Sequence, residues 1–481
     1  MIRKQLRILF TLLFVFGLAT FSLGQMLKNY NTDSLKNDFI FFRNLLNNNY
    51  PSLYRFTNKD KSDKLFDSCS ASINPKTTSF DLYRMIKYVL SSIKDGHLYC
   101  GPSDEQRKYM NEQAKLFPMR LYFVGASAFV ISSSNNSLSA GTEIISIDDR
   151  PIDQIRKELF RYIVSDGSIE TKKYHILNSV FHFYYMMIYG EAADFKVTYR
   201  STTGTVKTIK VNAVTSKEIP QEEKTEPKNL LQLSITGDVA ILTVKTFDSE
   251  KLKEHKEDFS SFVENSFKEI HEKKINNLII DLRDNGGGRG LYGSLLYSYL
   301  TDKPFDYYRT LTAATKNLPY EKFNSNSTSF NDLNVSMLEK TGNNIFLLKK
   351  EANDNLQVIE PNKNNFSGSV YFSINGLSFS TTAEFCAIAK SNNRGKFIGE
   401  ETGGGYCGNT SGVMTDTILP YSKLNISFGT IQFEMAVVKT KYVDRGIIPD
   451  YEIIPSITDM LKMQDVQLDG ALKLIKEKSR H

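Results

Sequence analysis

The hydrophobic pattern changes rhythm several times along the chain. After Asp33-Ser34, the residues Leu35, Phe39, Phe42, Leu45 and Leu46 fall on one face of a predicted helix. Leu82, Met85, Ile86, Val89 and Leu90 repeat that spacing in a second helix, from about Ser79 to Ile93. Lys94-Asp95-Gly96 should stop it, with the glycine as the C-terminal signal. Residues 25–112 therefore read as a helical segment.

From 113 to 215 the pattern becomes strand-like. Arg120–Val124 and Ala128–Ile131 read as strands. Gly141–Ile152 reads as a strand, a tight Asp148-Asp149 turn and a following segment. Asp194–Tyr199 and Val206–Val211 form a predicted pair joined at Gly204. A Tyr/Phe/Met-rich helix, about Ser168 to Tyr189, interrupts these strands. Residues 216–229 are charged and contain proline, so they read as a linker.

From 230 to 481 strands and helices alternate. Val239–Val244, Leu278–Leu282, Ser369–Ile374 and Lys396–Gly399 are predicted strands, and the apolar run Leu278–Leu282 suits one buried on both faces. Leu252–Ile270, Leu291–Leu300 and Thr382–Ser391 are predicted helices. This rhythm is that of an α/β fold.

The first 24 residues stand apart. Arg3, Lys4 and Arg7 precede the apolar run Ile8–Leu18, and Ser22-Leu23-Gly24 precedes Gln25. That is the layout of a cleavable signal peptide, so a periplasmic or secreted protein with no stable membrane span after cleavage is expected. Removing those three basic residues lowers the formal net charge from +6 to +3. No Lys/Arg-rich block remains to suggest a nucleic-acid partner. Cys69, Cys100, Cys386 and Cys407 allow three pairings, but their irregular spacing argues against a disulfide scaffold or a zinc site. Cys386 reads as a small buried apolar residue.

Several short segments carry candidate chemistry. In Ile374–Phe385 a strand runs through a glycine turn to a helix that starts near Ser380. A serine there can expose its hydroxyl beside free backbone N–H groups, although most serines at helix starts only cap them. Asp281–Gly288 places consecutive glycines after a buried strand, so its backbone can approach a ligand closely. No Gly-Lys-Ser/Thr follows, which disfavours a phosphate loop. Asp95-Gly96-His97 offers one of only six histidines at a helix end. Gly399–Gly405 and Asp444–Tyr451 are further glycine-bearing turns.

Each segment is weak alone, but together and in this order they resemble the carboxyl-terminal processing, or tail-specific, peptidases, which include the tricorn protease core. The matching pieces are Lys94–His97, Gly141–Ile152, Leu278–Gly288, Phe379–Phe385, Arg394–Gly404 and Gly446–Tyr451. The resemblance implies a crotonase-like α/β core, an N-terminal helical part and an inserted PDZ-like domain, assigned to 113–215. It implies Ser380 as nucleophile. One branch of the family has a lysine base in the turn matching Thr402–Gly405, where this chain has a threonine and three glycines but no lysine. The tricorn-like branch has an early histidine, matched by His97. Thr381 and either Gly286 or Gly287 would donate the oxyanion bonds, and Asp444 is the nearest match to a late acidic residue. The implied activity is hydrolysis of peptides or protein tails without a cofactor or metal. The competing expectation is an inactive relative that binds apolar ligands, with Phe181–Met187 lining a pocket, or protein C-termini.

Overall fold

A computed structural model describes residues 30–220, 227–316, 335–342, 345–439 and 443–478. The proposed signal peptide and part of the 216–229 linker lie outside them. Among the described residues no helix is long and apolar enough to cross a membrane.

The fold is mixed α/β with several sheets. The central sheet has six strands, ordered Tyr451–Glu452, Lys396–Gly399, Ser369–Ile374, Asn277–Asp281, Val239–Val244 and Leu231–Thr236. All neighbours are parallel except the last pair. Every residue of Asn277–Asp281 is buried, as its continuous apolar run requires. Leu278 and Ile280 enter the main core, which contains Phe259, Leu296 and Phe385 from the helices on that face. Ile279 points the other way, to Ala471 and Ile475 of the helix Val466–Lys478. Period-two alternation thus covers both faces of one strand.

A second sheet contains the long hairpin Gly408–Ile418 and Asn425–Met435 together with the short strand Tyr99–Gly101. The N-terminal helices Thr32–Asn49, Lys59–Ser72 and Ser79–Ile93 bury their apolar faces against its Ile426 and Phe428 and the adjoining Leu424. The last of these helices leads, through residues 94–98, into the strand Tyr99–Gly101. The turn bearing His97 is therefore anchored at both ends.

A third sheet is wholly antiparallel and is built from Met119–Val124, Ser127–Ser133, Glu143–Ile147, Arg150–Pro151, Asp194–Arg200 and Val206–Asn212. Asp148 and Asp149 both take positive φ (49° and 64°), which makes the tight turn expected there. The helix Thr171–Tyr189 buries Phe181 and Tyr185 among Phe117, Phe123 and Phe195. Those aromatics are core packing, which argues against the ligand-pocket reading of Phe181–Met187.

Two local expectations need correction. The helix expected over Leu252–Ile270 is two, Ser249–Glu254 and Phe259–Glu272. Lys256 takes φ 59° between them, and Asp258 starts the second by accepting from the Ser261 N–H. The helix Ser79–Ile93 is closed by Lys94 in the left-handed conformation (φ 66°), not by Gly96. Gly96 answers a steric demand instead: a Cβ there would lie 2.8 Å from both Lys172 Nζ and the Phe379 ring. The four cysteines are all free, and Cys386 is fully buried as expected.

Candidate active site

The site forms where loops leave the carboxyl ends of the parallel strands, the usual place for a ligand crevice in an open α/β sheet. Three loops meet there, residues 282–288, 375–380 and 400–405. They are stitched together by backbone groups: Phe379 N–H donates to Asn285 O at 3.0 Å, and Gly403 N–H donates to Ser378 O at 3.0 Å. Ser378 Oγ donates to Leu282 O at 2.8 Å, and Asn375 Oδ1 accepts from Asp284 N–H at 3.0 Å.

Ser380 sits at the start of the helix Thr381–Ser391 with φ 55° and ψ −128°, and its side chain makes no capping bond. The bland reading of a helix-capping serine therefore fails. A non-glycine residue in this region carries roughly 1–3 kcal/mol of strain, and sharp strand-to-helix turns of this kind present a nucleophilic hydroxyl outward.

Gly287 (φ 99°) packs directly on this turn. A Cβ added to it would lie 2.6 Å from Ser380 Cβ and 2.9 Å from Thr381 N. Gly287→Ala is thus expected to displace Ser380 and to lower kcat/KM by about 100-fold or more, the cost of misplacing a reacting group by an ångström. Peptide hydrolysis assays on the folded variant would check this, and near-native activity would contradict it.

Of the expected oxyanion donors, Thr381 N–H lies in the first turn of a helix, where no intrahelical acceptor exists. Gly287 needs correction, because its N–H donates to Asn285 Oδ1 at 2.9 Å and is committed there. Gly286 is exposed at the same turn, and no acceptor for its N–H is found among the described residues.

His97 is brought to this turn from 283 residues before Ser380. Its ring lies 4.4 Å, centroid to centroid, from that of Phe379, the residue before Ser380. Neither ring nitrogen has a hydrogen-bond partner among the described residues, so His97 and Ser380 are not hydrogen-bonded to each other. Asp95 Oδ1 accepts from the His97 backbone N–H at 2.9 Å and lies 3.7 Å from the ring Nδ1. Burial works to raise the Asp95 carboxyl, but His97 and the buried Tyr50 hydroxyl outweigh it and hold it well below the usual range.

Asp444 bonds Ser168 rather than His97. Its carboxylate accepts from Ser168 Oγ at 2.5 Å, and its backbone oxygen accepts from Ser168 N–H at 2.8 Å. The acidic groups around His97 are Asp95 and Asp166, whose side-chain donor atoms lie within 4.8 Å of one another and of a ring nitrogen. Asp166 accepts from Gly96 N–H at 2.6 Å and Gly405 N–H at 2.9 Å, tying the histidine turn to the 400–405 loop. Burial, then the neighbouring Asp95 charge, raises its carboxyl. By donor type the same three groups suit a divalent cation as well as a charged histidine pair.

The sequence reading missed Asp166, Tyr50 and the buried Lys172. Glu384, one helical turn beyond Ser380, was also missed; it is buried and bonded to Tyr308 Oη and Asn409 Nδ2, both at 2.7 Å.

Residues 238–453 match the model of peptidase family S41, which supports a serine-type peptidase. No curated protein sequence matches it. Among solved structures, mature CPAF complexed with lactacystin is similar at 14% identity and a TM-score of 0.60, over 93% of this chain and 98% of that one. A second mature CPAF structure gives 13% identity and a TM-score of 0.59, over 89% and 94%. At such identities the likeness is one of fold.

Proposed function

We propose that this chain is an exported tail-specific or tricorn-like endopeptidase that cleaves peptides or protein tails, with Ser380 as nucleophile and His97 as general base. The observation that carries this reading is the strained, uncapped Ser380 between the Gly286-Gly287 turn and a helix N-terminus, with the His97 ring packed at a tilt against Phe379. Ser380 Oγ attacks the scissile carbonyl while His97 takes its proton. The N–H groups of Thr381 and Gly286 receive the developing oxyanion, and His97 then protonates the leaving amine. Water repeats the sequence to free the acyl group. Asp95 orients the imidazole and remains ionised.

Residues 230–481 form a crotonase-like core, and 113–215 form a PDZ-like domain that adds a peptide strand to its sheet. The antiparallel sheet within 119–212 supports the second reading. The leader directs the protein to the periplasm or outside the cell.

The test is incubation of the exported protein with an unstructured polypeptide, followed by mass spectrometry of both. New substrate termini and an enzyme beginning near Gln25 are expected. Uncut substrate would contradict the activity, and retention of Met1 would contradict the leader.

A further inference from the structure

Lys172 is a lysine where neither fold nor chemistry obviously needs one. It lies in the first turn of the helix Thr171–Tyr189 and is 9% exposed. Its Nζ donates to the Gly96 carbonyl at 2.9 Å and sits 3.4 Å from the centroid of the Phe379 ring. These two contacts join residues on either side of the centre: Gly96 precedes His97, and Phe379 precedes Ser380. A Cβ on Gly403 would lie 3.2 Å from Lys172 Cβ, so the third loop closes over the same side chain. Thr171 Oγ1 donates to Glu401 O at 2.9 Å and pins the start of the helix to that loop.

We propose that Lys172 is a positioning residue of the catalytic centre, its ammonium clamping the turn that carries His97 against the turn that carries Ser380. The inference rests on the reading of His97 as base and Ser380 as nucleophile. Two features make a cation the right clamp. A carbonyl oxygen and an aromatic face both attract positive charge, and both do so more strongly where water is excluded. The charge also stands against two buried carboxylates, Asp166 and Asp95, which otherwise face each other beside His97. A neutral side chain of the same length would fill the space but supply neither attraction.

Burial pushes the Lys172 ammonium down to about 8, with Asp166 and then Asp95 working against the shift. The titratable groups around it are Asp95 and His97 of the preceding turn and Asp166 across from it. Below that value the clamp is charged and closed; above it, the lysine becomes neutral and the hold on Gly96 and Phe379 weakens. A merely space-filling lysine would leave no such alkaline limb in kcat.

The test is kcat and KM on a short peptide between pH 6 and 10 for wild type, Lys172→Met, Lys172→Arg, Phe379→Leu and Ser380→Ala. Lys172→Met should lower kcat about 10- to 100-fold with KM nearly unchanged, as loss of alignment does, and should abolish the alkaline limb. Lys172→Arg should retain more activity than Lys172→Met and carry the limb out of range, because arginine keeps its proton. Phe379→Leu should move the limb to lower pH by removing the ring that stabilises the ammonium. This variant tests the clamp even where Lys172→Met fails to fold. Wild-type kcat with an unmoved limb in the Lys172 or Phe379 variants, beside an inactive Ser380→Ala, would overturn this inference alone. An active Ser380→Ala enzyme would overturn the serine reading and the clamp with it. Loss of all activity in both Lys172 variants, with His97→Ala still active, would make Lys172 the base and refute the positioning role.

Discussion

Replacing Ser380 by alanine is expected to remove peptide hydrolysis, a loss of several orders of magnitude in kcat, while leaving the fold in place. Removal of an activated nucleophile typically costs that much, because the residual rate comes from binding and oxyanion donors alone. The structural cost is small, since the Ser380 side chain caps nothing and forms no bond within the helix start. Alanine inherits the same left-handed backbone, so stability should change by about 1 kcal/mol or less. Thermal melting and peptide turnover on the same preparation separate the two effects. A folded alanine variant with unchanged turnover would refute the assignment.

His97→Ala is expected to have the second-largest effect, a fall of about 10²–10⁴-fold in kcat, the usual contribution of general acid–base catalysis. The same assay on four further variants locates the base. Asp95→Asn should lower kcat by about tenfold or more, because an amide cannot hold the imidazole as a carboxylate does. Asp444→Asn should stay within about threefold of wild type, because a surface bond to Ser168 is worth little. Replacing Lys390, which pairs with Asp450 at 3.0 Å, or Lys396, which is exposed, should leave activity intact. An active His97→Ala enzyme would leave the fold standing without its base.

The parts of this architecture legible in the sequence were those with a local physical cause. Val239–Val244, Ser369–Ile374 and Lys396–Gly399 begin and end where their apolar runs do. The Asp148-Asp149 turn announced itself because aspartate tolerates positive φ. Ser380 was legible as a strand-to-helix serine. Its freedom from capping was not, because the same pattern serves both roles. Asp95, two residues before His97, gave no signal as its neighbouring acid, whereas Asp444, the expected acidic residue, bonds Ser168.

Asp166 and Lys172 carried no usable signal. Asp166 sits in an unremarked turn and gains its role only when Gly96 and Gly405 fold onto it from either side. Lys172 belongs to a Thr-Lys-Lys helix start, which reads as a solvated face until the loop at 400–405 covers it. The split near Lys256 was hidden because the apolar spacing continues across the break.

The central claim is that Ser380 is an activated nucleophile with His97 as its base. Labelling with a fluorophosphonate probe, followed by peptide mapping, tests this most directly, because the probe reacts with activated serines and needs no knowledge of the natural substrate. One adduct at Ser380 in the wild type, none in Ser380→Ala and a greatly slowed adduct in His97→Ala is the predicted result. An unlabelled wild-type protein, an adduct on another serine, or labelling that His97→Ala does not slow would contradict it.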